Sequence, residues 1–140
     1  MRLSGGCLCG AVRFQGEAEP QFQINCYCTD CRKLGGGHAS WMDVPAEAVS
    51  ITGAPHWYES KSGSGRQVGR AFCPACGVGL FGRNEMMPGM LFVRPSALDD
   101  PQLFAPQMSV YGSRAPHWDQ PAADLPVFPE MPPMPVEAAR

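Results

Sequence analysis

No uninterrupted apolar run in these 140 residues approaches the ~18 that a membrane-crossing helix requires, and the opening Met1-Arg2-Leu3-Ser4-Gly5-Gly6 carries no apolar leader core. The expectation is a soluble, cytoplasmic protein with no membrane partner. Charge is sparse as well: 17% of residues are Asp, Glu, Lys or Arg, and a net charge of -2 supplies no basic field, which excludes nucleic acid as a partner class. Helix-period patterns of useful length are missing, and so is any internal repeat. What is left between the turns is short alternating runs, so the class is mainly β.

Against these absences stand 7 cysteines, 16 glycines and 15 prolines. The cysteines fall as Cys-x-Cys at Cys7 and Cys9, Cys-x-Cys-x-x-Cys at Cys26, Cys28 and Cys31, and Cys-x-x-Cys at Cys73 and Cys76. An odd count in these spacings suits metal ligation in a reducing compartment rather than disulfides. In Cys26-Tyr27-Cys28-Thr29-Asp30-Cys31, three thiols within six residues are too close for ordinary core packing. A bound cation is what makes several neighbouring thiolates favourable at neutral pH. No fourth ligand lies nearby in sequence, and three protein ligands with one open position are the pattern of a reactive zinc.

In chain order, glycines bracket Cys7 and Cys9, and Val12 and Phe14 alternate with polar neighbours as a half-buried strand does. Phe22 and Ile24 repeat that signal before Cys26. Thr29 is the expected N-cap of a helix of a turn or two, broken by Gly35-Gly36-Gly37. Strands are expected at 38–44, 49–52, 56–59, 67–72, 90–93 and 107–111, a flexible loop at 60–66, and a turn or one-turn helix at 96–101. Cys73-Pro74-Ala75-Cys76-Gly77 reads as a metal knuckle closed by a positive φ at Gly77. Residues 1–115 form the zinc-binding domain, and the Pro-rich segment 116–140 is an extension packed on it, running extended over the surface.

Cys7 and Cys9 joined with Cys73 and Cys76 give a closed four-thiolate site, with Cys26, Cys28 and Cys31 left as the open one. The rival pairing of Cys28 and Cys31 with Cys73 and Cys76 strands Cys7, Cys9 and Cys26. Spacing alone leaves both open.

Gly6-Cys7-Leu8-Cys9-Gly10-Ala11-Val12, Cys26-Tyr27-Cys28-Thr29-Asp30-Cys31-Arg32 and Phe72-Cys73-Pro74-Ala75-Cys76-Gly77 followed by Leu80 resemble the glutathione-dependent formaldehyde-activating (GFA/CENP-V) family. Residues 45–52, 96–101 and 113–118 are similar to family segments too. The resemblance implies an Mss4-like β-tent with zinc-stapled turns and two zinc ions per chain. It implies Cys7, Cys9, Cys73 and Cys76 on a structural zinc and Cys26, Cys28 and Cys31 on a catalytic one. It departs from the family at Tyr27, where His is usual, and at Gly35-Gly36-Gly37-His38, so the pocket lining is expected to differ.

The implied activity is that of a carbon-sulfur lyase or synthase acting on adducts of a small thiol such as glutathione with an aldehyde, S-(hydroxymethyl)glutathione being the model substrate. The alternative is a zinc-stapled Mss4-like binding module without catalysis. Candidate catalytic groups beyond the open zinc are Arg32 and His38, with Lys33 and Arg114 as further cations to balance a centre carrying three thiolates. Methionine sulfoxide reduction, also found on this fold, needs free reactive cysteine and fits these clustered ligands poorly.

Overall fold

The structure, a computed structural model, describes residues 1–132. Its strands are β1 Arg2–Gly6, β2 Arg13–Glu17, β3 Gln23–Cys26, β4 Ala39–Pro45, β5 Val49–Thr52, β6 His56–Lys61, β7 Gln67–Phe72, β8 Gly79–Asn84, β9 Met90–Val93 and β10 Met108–Val110, with the helix α1 at Thr29–Gly35. The chain is mainly β, as its alternating runs predict. None of the described helices is long and apolar enough to cross a membrane. Two compact units are formed, one from Met1–Phe22 with Trp41–Ala105 and the other from Gln23–Ser40 with the chain from Pro106 onward.

In the first unit β1, β2 and β5 make an antiparallel sheet in that order, with Leu3 opposite Gly16 and Phe14 opposite Ile51. A second run follows the order β4-β9-β8-β7-β6, with Met42 opposite Val93 and Ala71 opposite Phe81. The alternate residues that point inward from both sheets meet in one core containing Leu3, Val12, Phe14, Met42, Val44, Leu80, Phe81 and Val93. Phe14 and Phe81 touch edge-to-face, with centroids 5.2 Å apart. Each such side chain contributes roughly 1.5–3 kcal/mol when fully withdrawn from water.

Sequence reasoning missed β1 and β8, because glycines that look like turn residues are in fact places of close approach. An added Cβ at Gly5 would lie 2.2 Å from the Ala97 carbonyl oxygen and 2.6 Å from Phe14 Cζ. The Gly5–Leu98 bridge and the bond from the Asp99 N–H to the Ser4 carbonyl, 2.8 Å, depend on this approach. At Gly79 the missing Cβ leaves room for the Arg94 guanidinium, which would otherwise stand 2.8 Å away. Gly5→Ala should therefore cost about 1–3 kcal/mol in denaturant unfolding, as overpacking does. Gly63→Ala is the control, since nothing lies within 4 Å of its added Cβ. Equal midpoints for the two variants would refute the close-approach account.

In the second unit β3 and β10 run parallel, with Ile24 opposite Met108 and Cys26 opposite Val110. The last strand stops at Val110 rather than Tyr111, because Tyr111 turns left-handed at φ 56 and leads into a 3-10 turn at Gly112–Arg114. Thr29 is not the helix cap. Cys28 takes that position with extended backbone, its sulfur accepting from the Cys31 N–H, and Thr29 is the first helical residue. Over residues 115–132 the chain is irregular apart from a bridge between Val127 and Ser109. Residues 133–140 of the extension lie outside the described residues.

Candidate metal centre

Each Cys pair of the first unit sits in a turn between antiparallel strands. Cys7 follows β1, its N–H bonded to the Val12 carbonyl at 3.0 Å, and Gly10 closes the turn at φ 81. Cys73 follows β7 in the same way, its N–H bonded to the Val78 carbonyl at 3.0 Å, and Gly77 closes the turn at φ 80, the positive value its sequence context predicts. The two turns bring Cys7, Cys9, Cys73 and Cys76 together, with all four sulfurs within 4.8 Å of one another.

Sulfur separations test the fit to a metal. The Cys7–Cys9 and Cys9–Cys73 distances are 3.7 Å. A disulfide needs about 2.05 Å, whereas a tetrahedron with zinc-sulfur arms of about 2.3 Å has edges of about 3.8 Å. The electrostatics agree. Cys76 is held down at about 6 by the amides of Val78 and Cys9. Cys9 is pushed up to about 11 although the Ala11 amide pulls it down, since Cys7, burial, Cys73 and Cys76 all oppose a further negative charge. Four thiols so placed fit a divalent cation and are frustrated without one.

Cys26, Cys28 and Cys31 form a separate group in the second unit, their sulfurs also within 4.8 Å of one another. Cys26 ends β3, and α1 starts at once, so strand end and helical turn together gather the three. Cys26 and Cys31 are buried and Cys28 is half-buried. The Cys28 thiol is pushed far below its ordinary range, first by the Cys26 and Cys31 thiols donating to it and then, against burial, by the amides of Cys31 and Asp30. The Cys26 thiol is correspondingly pushed far up by Cys28, Cys31 and burial. One negative charge is thus welcome and a second is not, again the state a cation relieves. Among the described residues no His, Cys, Asp or Glu joins this group as a fourth ligand. The rival grouping of Cys28 and Cys31 with the knuckle is not what the chain forms.

His38 packs against Tyr27, the residue between Cys26 and Cys28: its ring is 4.8 Å from that of Tyr27 and its Nδ1 is 2.6 Å from Asp119 Oδ2. Asp119 was invisible to sequence reasoning, and the signal that could have found it is Gly37, where a Cβ would stand 2.0 Å from the same carboxylate oxygen. Arg32 and Lys33 occupy the last turn of α1, Arg32 half-buried and Lys33 exposed. Arg114 lies over the Tyr111 ring, 5.2 Å from its centroid. Sequence reasoning placed Tyr111 only at the end of a strand and gave it no part in the site. It is the one non-glycine at positive φ among the described residues, a conformation costing roughly 1–2 kcal/mol. Its phenol is pushed above its ordinary range by burial and then by the charges of Cys26 and Cys28.

Comparison with known proteins places this geometry. A crystal structure of a Rhodobacter sphaeroides protein shares the fold at a TM-score of 0.57 and 24% identity, covering 71% of this chain and 93% of that one. A Halomonas elongata protein bearing the family's name is 34% identical over 105 residues, 71% of this chain and 67% of its own length. The model of the glutathione-dependent formaldehyde-activating enzyme family matches residues 2–114, a span that holds both cysteine groups and ends before Asp119. On that match, the chain belongs to the glutathione-dependent formaldehyde-activating enzyme family.

Proposed function

We propose that this protein is a zinc enzyme that makes and breaks the carbon-sulfur bond of thiol-aldehyde adducts, with an S-(hydroxymethyl)glutathione-like substrate. The observation that carries the reading is the division of the cysteines into a set of four and a set of three, the latter without a fourth protein ligand among the described residues. Cys7, Cys9, Cys73 and Cys76 would hold a structural ion, and Cys26, Cys28 and Cys31 the reactive one. The chemistry zinc supplies at such a centre is a place for one more sulfur as thiolate and a positive charge beside the adduct oxygen.

The chain's own groups do the rest. In the direction of adduct formation, the lone pair of the thiolate forms the carbon-sulfur bond and the carbonyl π pair moves onto oxygen, which takes up a proton; lysis reverses each movement. Cysteine thiolates crowd the centre with negative charge, so an anionic substrate needs compensating cations. Arg32 and Lys33 at the end of α1 and Arg114 beyond β10 belong to the same unit and would meet the carboxylates of glutathione. His38, held by Asp119, is the unit's candidate for relaying that proton between the adduct oxygen and water.

Protein purified without chelator should contain zinc at two ions per chain, one for each cysteine group. Calorimetric titration with glutathione should show affinity rising about tenfold per pH unit between about pH 6 and 8. The thiolate is the form that binds, and its fraction grows tenfold per unit below the thiol pKa of about 8.5. Absence of binding at millimolar glutathione across that range would reject the enzyme reading and favour a binding module without catalysis.

A further inference from the structure

The strain at Tyr111 is imposed from two directions. On one side β10 pairs Val110 with Cys26, and the Tyr27 N–H donates to the Val110 carbonyl at 3.0 Å, so Tyr111 is the residue that follows the partner of a thiolate-centre cysteine. On the other side the segment Pro126–Glu130 grips the same stretch. The N–H groups of Ser109, Gly112 and Ser113 donate to the carbonyls of Pro126, Phe128 and Pro129, and the Tyr111 N–H reaches the Glu130 carbonyl at 3.3 Å. The Ser113 hydroxyl adds a bond of 2.7 Å to the Pro129 carbonyl. Backbone strain persists only where its surroundings over-determine it, and it concentrates where a side chain must be aimed.

What this geometry aims is a phenol. Tyr111 is half-buried; burial and then the charges of Cys26 and Cys28 keep its phenol protonated, and the Arg114 guanidinium, 5.2 Å from the ring centroid, acts in the opposite sense. We propose that Tyr111 binds the oxygen of the thiol-aldehyde adduct at the Cys26, Cys28 and Cys31 centre, its phenol donating a hydrogen bond to that oxygen as negative charge grows on it. The assignment rests on the adduct chemistry proposed above. During addition the thiolate lone pair becomes the carbon-sulfur bond, the carbonyl π pair moves to oxygen, and that oxygen takes a proton from water. The phenol keeps its own proton throughout. In lysis the hydroxyl proton passes to water, the O–H pair becomes the carbonyl π bond and the carbon-sulfur pair leaves on sulfur. The segment Pro126–Glu130, which lies beyond the family match, is then a brace for the phenol.

Three measurements on zinc-loaded protein test this. Tyr111→Phe keeps the ring and removes the donor, so kcat/KM for release of formaldehyde from S-(hydroxymethyl)glutathione should fall about 10²–10³-fold, the cost of removing one oxyanion donor. Its affinity for glutathione, which lacks that oxygen, should stay within about twofold. The carbon-13 resonance of Tyr111 Cζ in the wild type should move when formaldehyde is added to the glutathione complex, and not when glutathione alone is added. Unchanged turnover in Tyr111→Phe, or a Cζ resonance indifferent to formaldehyde, overturns the assignment while the enzyme reading stands. A wild type that neither binds glutathione nor releases formaldehyde overturns that reading and the assignment with it.

Discussion

Cys73→Ser should leave a protein without a cooperative thermal transition in its first unit, even with zinc supplied. Cys73 is fully buried, and its sulfur lies 3.7 Å from that of Cys9, which belongs to a different turn 64 residues away. Serine there removes the thiol that, on the proposed reading, closes the group of four, and buries a hydroxyl in its place. A structural zinc contributes about 10–16 kcal/mol in small peptides, while the net stability of a domain is about 5–15 kcal/mol. Losing most of the former is therefore as large as the whole of the latter or larger over most of these ranges. Near-ultraviolet circular dichroism across a melt gives the readout, and a midpoint within a few degrees of the wild type would contradict the closed four-thiolate account.

The counterpart is Cys28→Ser, for which activity should fall by at least about 10³-fold while the cooperative transition survives. Cys28 caps α1 by accepting from the Cys31 N–H, at 3.4 Å. Serine ranks among the best N-caps, so the substituted hydroxyl can take over that bond and the helix should lose less than about 1 kcal/mol. What it cannot replace is a thiolate on the cation, so metal content should drop from two ions to one. Formaldehyde release from S-(hydroxymethyl)glutathione, metal analysis and a thermal melt on the same preparation separate the outcomes. Equal loss of stability in Cys28→Ser and Cys73→Ser would make both groups staples and remove the enzyme reading.

The contrast also shows which parts of the molecule the amino-acid order reveals. Ligand spacing is local, because Cys-x-Cys and Cys-x-x-Cys must each fit one turn, so the turns at Cys7 and Cys73 and the helix after Cys26 are readable directly. Gly77 is readable for the same reason, since only its own backbone is at stake. Gly5 is not, because its role is set by Ala97 and Phe14 arriving from distant strands. The cap at Cys28 hid behind Thr29, a better cap by composition, since it is the Cys28 sulfur that accepts the Cys31 N–H. The pairing of Pro126–Glu130 with the stretch around Tyr111 left almost no trace. The carbonyls of Pro126, Phe128, Pro129 and Glu130 and the Phe128 N–H make the contact, all of them backbone groups, so side-chain patterns carry almost no record of it.

The separation of the two cysteine turns has a consequence for how the chain is born. At roughly 5–20 residues per second, a ribosome needs about 3–13 s to travel the 64 residues from Cys9 to Cys73. Through that interval Cys7 and Cys9 have been synthesised and their two partners do not yet exist. A nascent chain with two waiting thiols is open to oxidants and to metals that the finished group of four would exclude. If zinc fills that group, as proposed above, the supply of zinc and of reductant during translation bears on how many chains reach the native state.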